Sequence, residues 1–174
     1  FVNPSPNFFY LLKNLSGKYY SVLFNPNSGM YLHQDGWLEV TVDMDSSKVN
    51  ERTNTRIEHY RQKNLPLYHF STLRMDYLKK TIGYLSAYGD VFIVRLPVHP
   101  LMMEIEEELM PDFNRKMEAL APITEGYLDL TCLNEEFDYS DGNHLHKTSG
   151  KKVSIIIANW LKELQRTNPN YTDD

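Results

Sequence analysis

The sequence predicts an α/β fold with parallel core strands. Two observations carry this. From residue 71 onward the patterns run helix, strand, helix, strand, loop, helix, the alternation that builds parallel sheets through crossover helices. Within it, Val91-Phe92-Ile93-Val94-Arg95-Leu96 is apolar apart from Arg95, as expected of a strand buried on both faces.

Taken in order, Pro6 suits the first turn of a short helix within residues 1–18, and Gly17 is a stop for it. Residues 19–42 read as β-structure. Residues 19–24 are rich in strand formers, and turn chemistry at residues 25–29 separates them from a short strand at residues 30–33. Trp37-Leu38-Glu39-Val40-Thr41-Val42 alternates at period two. Short loops between these strands imply antiparallel pairing, hence an inserted β-meander. Residues 43–69 are polar without clear apolar periodicity. A helix is expected over about 46–63, solvated on most sides and ended by Pro66.

Ser71 is placed to cap a helix running to about residue 88, with Leu73, Tyr77, Leu78, Ile82 and Leu85 at helical spacing and Gly89 as its stop. Strand 91–96 follows, ended by Pro97 and Pro100. A second helical region, 102–120, is divided by Pro111 and carries the stripe Leu109, Phe113, Met117 and Leu120. Residues 127–130 are the next strand. The last helix spans about 150–165 with Ser149 or Thr148 as cap, and Val153, Ile156, Ile157, Trp160, Leu161 and Leu164 line one face. A frayed tail from residue 167 completes a single expected domain, in which residues 1–69 precede an α/β portion at 70–166.

The 174 residues suffice for a sizeable core, and 41% hydrophobic with 24% charged residues is ordinary for a globular chain. Net charge is −5 and no basic stripe stands out, so a nucleic-acid partner has no electrostatic support. No apolar run reaches the length of a membrane span. Cys132 is the single cysteine, which excludes an intramolecular disulfide. The 12 tyrosines are read as packing residues. The same default is given to Tyr31 and Trp37, with a sugar-stacking platform as the sharper alternative. The acidic run 104–108 reads as a solvated helix face.

In open α/β sheets functional groups gather beyond the carboxyl ends of strands. Two loops lie there. One carries Arg95 and His99; the other, residues 131–149, carries Asp141, Asn143, His144 and His146. A carboxylate three residues before a histidine can accept the Nδ1 proton, fix the tautomer and leave Nε2 as a general base toward a hydroxyl. The alternatives are a turn-capping Asp141 beside a surface histidine, or a metal held by His144, His146 and Asp141 with His99 or Cys132. Arg95 is equally suited to binding a substrate carboxylate or phosphate and to pairing with Asp129.

Asp141-Gly142-Asn143-His144-Leu145, followed by Ser149-Gly150 and an apolar helix, resembles the last block of the SGNH/GDSL hydrolases. The proline-terminated strand at residues 91–97 resembles their penultimate sheet strand, and the likeness covers roughly residues 71–164. It is greatest to the envelope-associated branch of DltD-like and alginate-acetylation proteins. The resemblance implies a three-layer α/β/α, flavodoxin-like fold and a serine esterase or acyltransferase needing no cofactor. It also implies an acylated glycan or small ester as substrate, a cell-envelope or extracytoplasmic setting, and catalytic roles for His144 and Asp141. The site-lining candidates are Arg95, His99, Asn143 and His146.

The Gly-Asp-Ser and Gly-x-Asn-Asp blocks of that family are absent; Gly89-Asp90 is followed by Val91. Ser5, Ser16, Ser21 and Ser28 do not sit on a strand-to-helix elbow. The chain opens on Phe1 rather than methionine, so a removed leader or a longer parent is expected, with the missing blocks upstream. A non-catalytic binding module on the same scaffold is the competing expectation.

Overall fold

The computed structural model describes residues 29–34 and 38–167, in two units divided after Val42. The helix expected within residues 1–18, the strand at residues 19–24, the four N-terminal serines, Trp37 and the tail beyond Thr167 lie outside the described residues.

In the first unit, β1 (Met30–Leu32) and β2 (Leu38–Val40) pair antiparallel with Met30 opposite Val40, as a short connection requires. Gly29 enters at φ 66°, a conformation open chiefly to glycine, and its carbonyl accepts the Thr41 N–H at 2.7 Å. Tyr31 is 64% exposed, and its ring lies edge-on to that of His33 at 4.7 Å between centroids.

The second unit is mixed helix and strand around a small parallel sheet. Strands β3 (Phe92–Arg95) and β4 (Gly126–Asp129) pair in parallel, from Phe92 opposite Gly126 to Arg95 opposite Asp129. Alternate side chains leave opposite faces of a strand. Val91 and Ile93, with Tyr127, pack on the cluster of Ile82, Met117 and Leu120, contributed by α2 (Thr72–Leu85) and the region of α4 (Phe113–Glu118). Phe92 meets the ring of Trp160 at 5.6 Å, from α5 (Lys147–Thr167). Gly126 permits that approach: a Cβ there would lie 2.9 Å from the Trp160 ring. All four β3 residues are half-buried, not fully buried as expected, because among the described residues the sheet has only two strands and each has a single neighbour.

Helix α1 (Ser46–His59) starts where Asp45 caps the Ser47 and Lys48 amides, and it widens into a π-type turn at Tyr60–Asn64 before Pro66. As expected, the helix is exposed on most sides. Thr53 and Ile57 are its buried positions, and Ile57 joins Met102 and Ile105 of α3 (Pro100–Leu109) in a second core cluster. Val49 and Ile57 are the only apolar residues of α1 and lie eight positions apart, too sparse a signal to register as periodicity.

Helix α2 is capped by Ser71 as expected, Oγ accepting from the Arg74 N–H at 3.3 Å. Its stripe divides, however. Met75, Leu78 and Ile82 face the core, whereas Leu73 (65% exposed), Tyr77 (60%) and Tyr84 (65%) lie on the opposite side. Helix α3 begins with Pro100 at its first turn, two residues before the expected start, and the helical region divides around Pro111. Helix α5 begins three residues before its expected start, which puts Ser149 inside the helix.

Candidate functional site

The loops that follow β3 and β4 are stitched together at the carboxyl ends of the sheet. Asn134, buried in the turn Thr131–Glu136, accepts the Val98 N–H on Oδ1 at 2.9 Å, and its own carbonyl accepts the Tyr139 hydroxyl at 2.9 Å. Burial pushes the Tyr139 phenol up to about 12, so it remains a neutral donor. The Tyr139 ring meets the His99 ring edge-on at 5.4 Å.

From Tyr139 the chain makes a narrow loop that closes on itself. Tyr139 and Leu145 form an antiparallel bridge; the Ser140 N–H donates to the His144 carbonyl (2.9 Å) and the His146 N–H to the Asp138 carbonyl (2.8 Å). At its tip Asp141 Oδ1 accepts the Asn143 N–H at 2.7 Å and the His144 N–H at 2.9 Å. The His144 Nδ1 lies 3.1 Å from both carboxylate oxygens. Burial pushes the Asp141 carboxyl up, but the two amides and the ring outweigh it and hold it below the usual aspartate value. Asp141 is 15% exposed at its side chain and His144 is 63%. The carboxylate is thus recessed and fixed, while the imidazole it orients stands at the surface with Nε2 directed away from the bond.

Helix α1 supports this loop from beneath. Arg52 donates from Nε to the Ser140 carbonyl (2.9 Å) and from Nη2 to the Asp43 carbonyl (2.6 Å). Arg56 Nη2 stands 3.5 Å from Asp141 Oδ2. Gly142 is buried against α1, where a Cβ would sit 3.2 Å from the Ile57 side chain and 3.4 Å from the Thr53 carbonyl. Between α1 and Asp141 lies a cleft of about 660 Å³ lined by Lys48, Glu51, Arg52, Thr55, Arg56 and His59.

The other predicted residues take different places. Arg95 is 10% exposed and its guanidinium meets Glu106 Oε2 at 3.0 Å, Asn114 Oδ1 at 3.0 Å, Asp129 Oδ2 at 3.7 Å and the Phe113 ring at 4.1 Å. Of its two expected roles, internal pairing is the one the geometry fits, with Glu106 nearer than Asp129. His99 is the N-cap of α3, Nδ1 accepting the Leu101 N–H at 3.2 Å, and burial holds its pKa below the usual histidine value against the pull of Asp141. Asn143 contributes its amide, and its side chain is exposed. His146 Nδ1 lies 2.8 Å from the Thr148 hydroxyl. Ser149 does not cap α5 with its side chain. It is fully buried, and its hydroxyl accepts the Asp138 N–H at 2.9 Å, tying the loop base to the helix.

Among the described residues no three or more of histidine, cysteine, aspartate and glutamate gather as a metal site, and no helix is long and apolar enough to cross a membrane. Sequence reading missed Arg52 and Arg56. Their signal was present: Lys48, Arg52 and Arg56 recur every fourth residue, a stripe that a whole-chain net charge of −5 conceals. Comparison with family models, curated proteins and solved structures returns no match to this chain.

Proposed function

We propose that residues 71–164 form part of a three-layer, flavodoxin-like domain of the SGNH type, in which this chain supplies the Asp-His portion of a serine esterase or acyltransferase. The reading rests chiefly on one observation, the Asp141–His144 contact at 3.1 Å beyond the end of a parallel strand. In this role His144 Nδ1–H donates to Asp141, and Nε2 takes the proton of a serine hydroxyl as that oxygen attacks an ester carbonyl. Nε2 then returns the proton to the departing alkoxide. Asp141 stabilises the imidazolium between the two events. The serine and the oxyanion donors come from outside the described residues, and the substrate is an O-acylated glycan or other envelope ester. No cofactor enters these steps.

The test is p-nitrophenyl acetate hydrolysis by the full-length protein and its His144→Ala variant. A fall of about a thousandfold or more in kcat on losing the base is expected. Equal, background rates in both would defeat the enzymatic reading and leave a module that binds an acylated glycan in the α1 cleft without turnover. The position of that cleft directly against Asp141 favours this as the second reading.

A further inference from the structure

We infer that the outer face of α2, where Leu73, Tyr77, Lys80 and Tyr84 form one stripe, packs against the same face of a second copy of this chain as an antiparallel helix pair. The inference is independent of the esterase reading.

The four residues are spaced by four, three and four positions, the seam spacing of a coiled coil. On an α-helix they fall within a sector of about 60°. Met75, Leu78 and Ile82, which face the core, lie on the other side. Tyr88, 76% exposed, meets the Tyr84 ring at 5.2 Å between centroids and carries the stripe past the helix end. The folding of one copy gives no reason to hold these rings outward on a helix that already has a buried face. Three tyrosines and a leucine so exposed present on the order of 500 Å², an extent that marks an interaction surface.

The symmetry of the stripe says what covers it. Its spacing reads the same from either end, as a two-fold contact between identical patches requires. With the axis midway between positions 78 and 79, Leu73 of each copy meets Tyr84 of the other, and Tyr77 meets Lys80. Lys80 is the only cation in the seam. Within its own copy its Nζ stands 5.1 Å from the Tyr77 ring centroid. In the pair it faces the Tyr77 ring of the second copy and comes beside that copy's Asp76, an exposed carboxylate flanking the seam. One polar residue in an apolar seam sets register and orientation in this way. An unrelated apolar helix would instead press hydrocarbon on the ammonium.

Gly83 flanks the seam on the same side as Asp76, and a Cβ there would meet nothing within 4 Å. Glycine weakens a helix relative to alanine, and one copy alone has no steric need of it. Between two helices the missing side chain allows a close approach. Two such stripes bury about 1,000 Å² in all, the lower bound for a specific interface, so the pair is weak and reversible.

The test is sedimentation equilibrium of the full chain over roughly 5–500 µM. We expect the mass to rise from 20.4 kDa toward twice that value, with a Kd of about 10–100 µM. Leu73→Glu and Tyr84→Glu should each weaken the pair by about tenfold or more. Ile155→Glu, at an exposed position of α5 on the opposite face of the sheet, should leave it unchanged. Asp76→Lys and Lys80→Glu each put like charges side by side across the seam and should weaken self-association by about fivefold. An equimolar mixture of those two variants should regain most of the affinity, because each supplies the charge the other lacks. A mass that stays at 20.4 kDa to the highest concentration would overturn the inference. So would a dimer indifferent to Leu73→Glu and Tyr84→Glu, an equal loss with Ile155→Glu, or a mixture that pairs no better than its components.

Discussion

β3 and β4 end at the same edge of one sheet, and the last residue of β3 and the loop after β4 each present a charged side chain, yet they use charge in opposite ways. Arg95 is almost buried, and its fork is closed by Glu106, Asn114 and Asp129 with Phe113 beneath. Its Nη1 and Nη2 are turned inward onto neighbours of the same unit. In the second loop the buried partner is the carboxylate, and the titratable ring it orients is 63% exposed. Polarity at the end of a parallel strand therefore does not by itself mark a site. What separates the two is which member of the pair is recessed.

Arg95→Met bears most strongly on this contrast. It leaves Glu106 and Asp129 without their cation. Urea denaturation should show a loss of about 2–4 kcal/mol, below the cost of a fully buried pair because Glu106 can turn to solvent. The residues of the Asp141 loop should keep their amide shifts. A variant as stable as the parent would mean that Arg95 is free for a ligand after all.

Asp141→Asn should cost less, about 1–2 kcal/mol at neutral pH, because asparagine keeps one acceptor for the loop amides but loses the charge that strengthens them. Since the folded state holds this carboxyl below its usual 3.8, its stabilising effect is complete above that value and fades as pH falls through the lower folded one. Denaturation midpoints of parent and variant should accordingly converge in acid. A gap that stays constant from neutral pH into acid would refute the role given to the carboxylate.

His99→Asn is the smallest test. Asparagine preserves an N-cap acceptor for α3 but removes the titrating ring. The folded state depresses the His99 pKa below 6.5 through burial, so the parent should hold full stability above 6.5 and lose some as pH falls from there through the folded value. The variant should lack that step, a difference under about 1 kcal/mol between neutral and mildly acid solutions. Identical pH profiles would show that the ring is better solvated than its contact with Tyr139 implies.

Much of the second unit was legible in the sequence because its signals are local. Ser71 caps α2, the apolar run after Gly89 gives β3, Pro111 separates two helices, and the Asp141–His144 spacing brings carboxylate and ring together within one loop. The misreadings have a common origin. Residues 43–69 are exposed on most sides as expected, but their two buried positions, Thr53 and Ile57, left no pattern to be read; Ile57 packs against α3 and Gly142. Leu73 and Tyr77 obeyed the helical period but lie opposite the core face of α2. Ser149 had the right type and place for a cap, yet it bonds backward to Asp138.

The alternation of helices and strands, the turn that closes on Asp141 and the pairing of that carboxylate with His144 are all set by residues within a few positions of one another, so they can be read along the chain. Long-range packing turns Arg95 inward and lets α1 underpin the loop through an Arg52–Ser140 hydrogen bond between positions 88 residues apart. Such partners are chosen by how the elements pack, and packing between distant segments leaves no period or spacing in the chain from which it could be read.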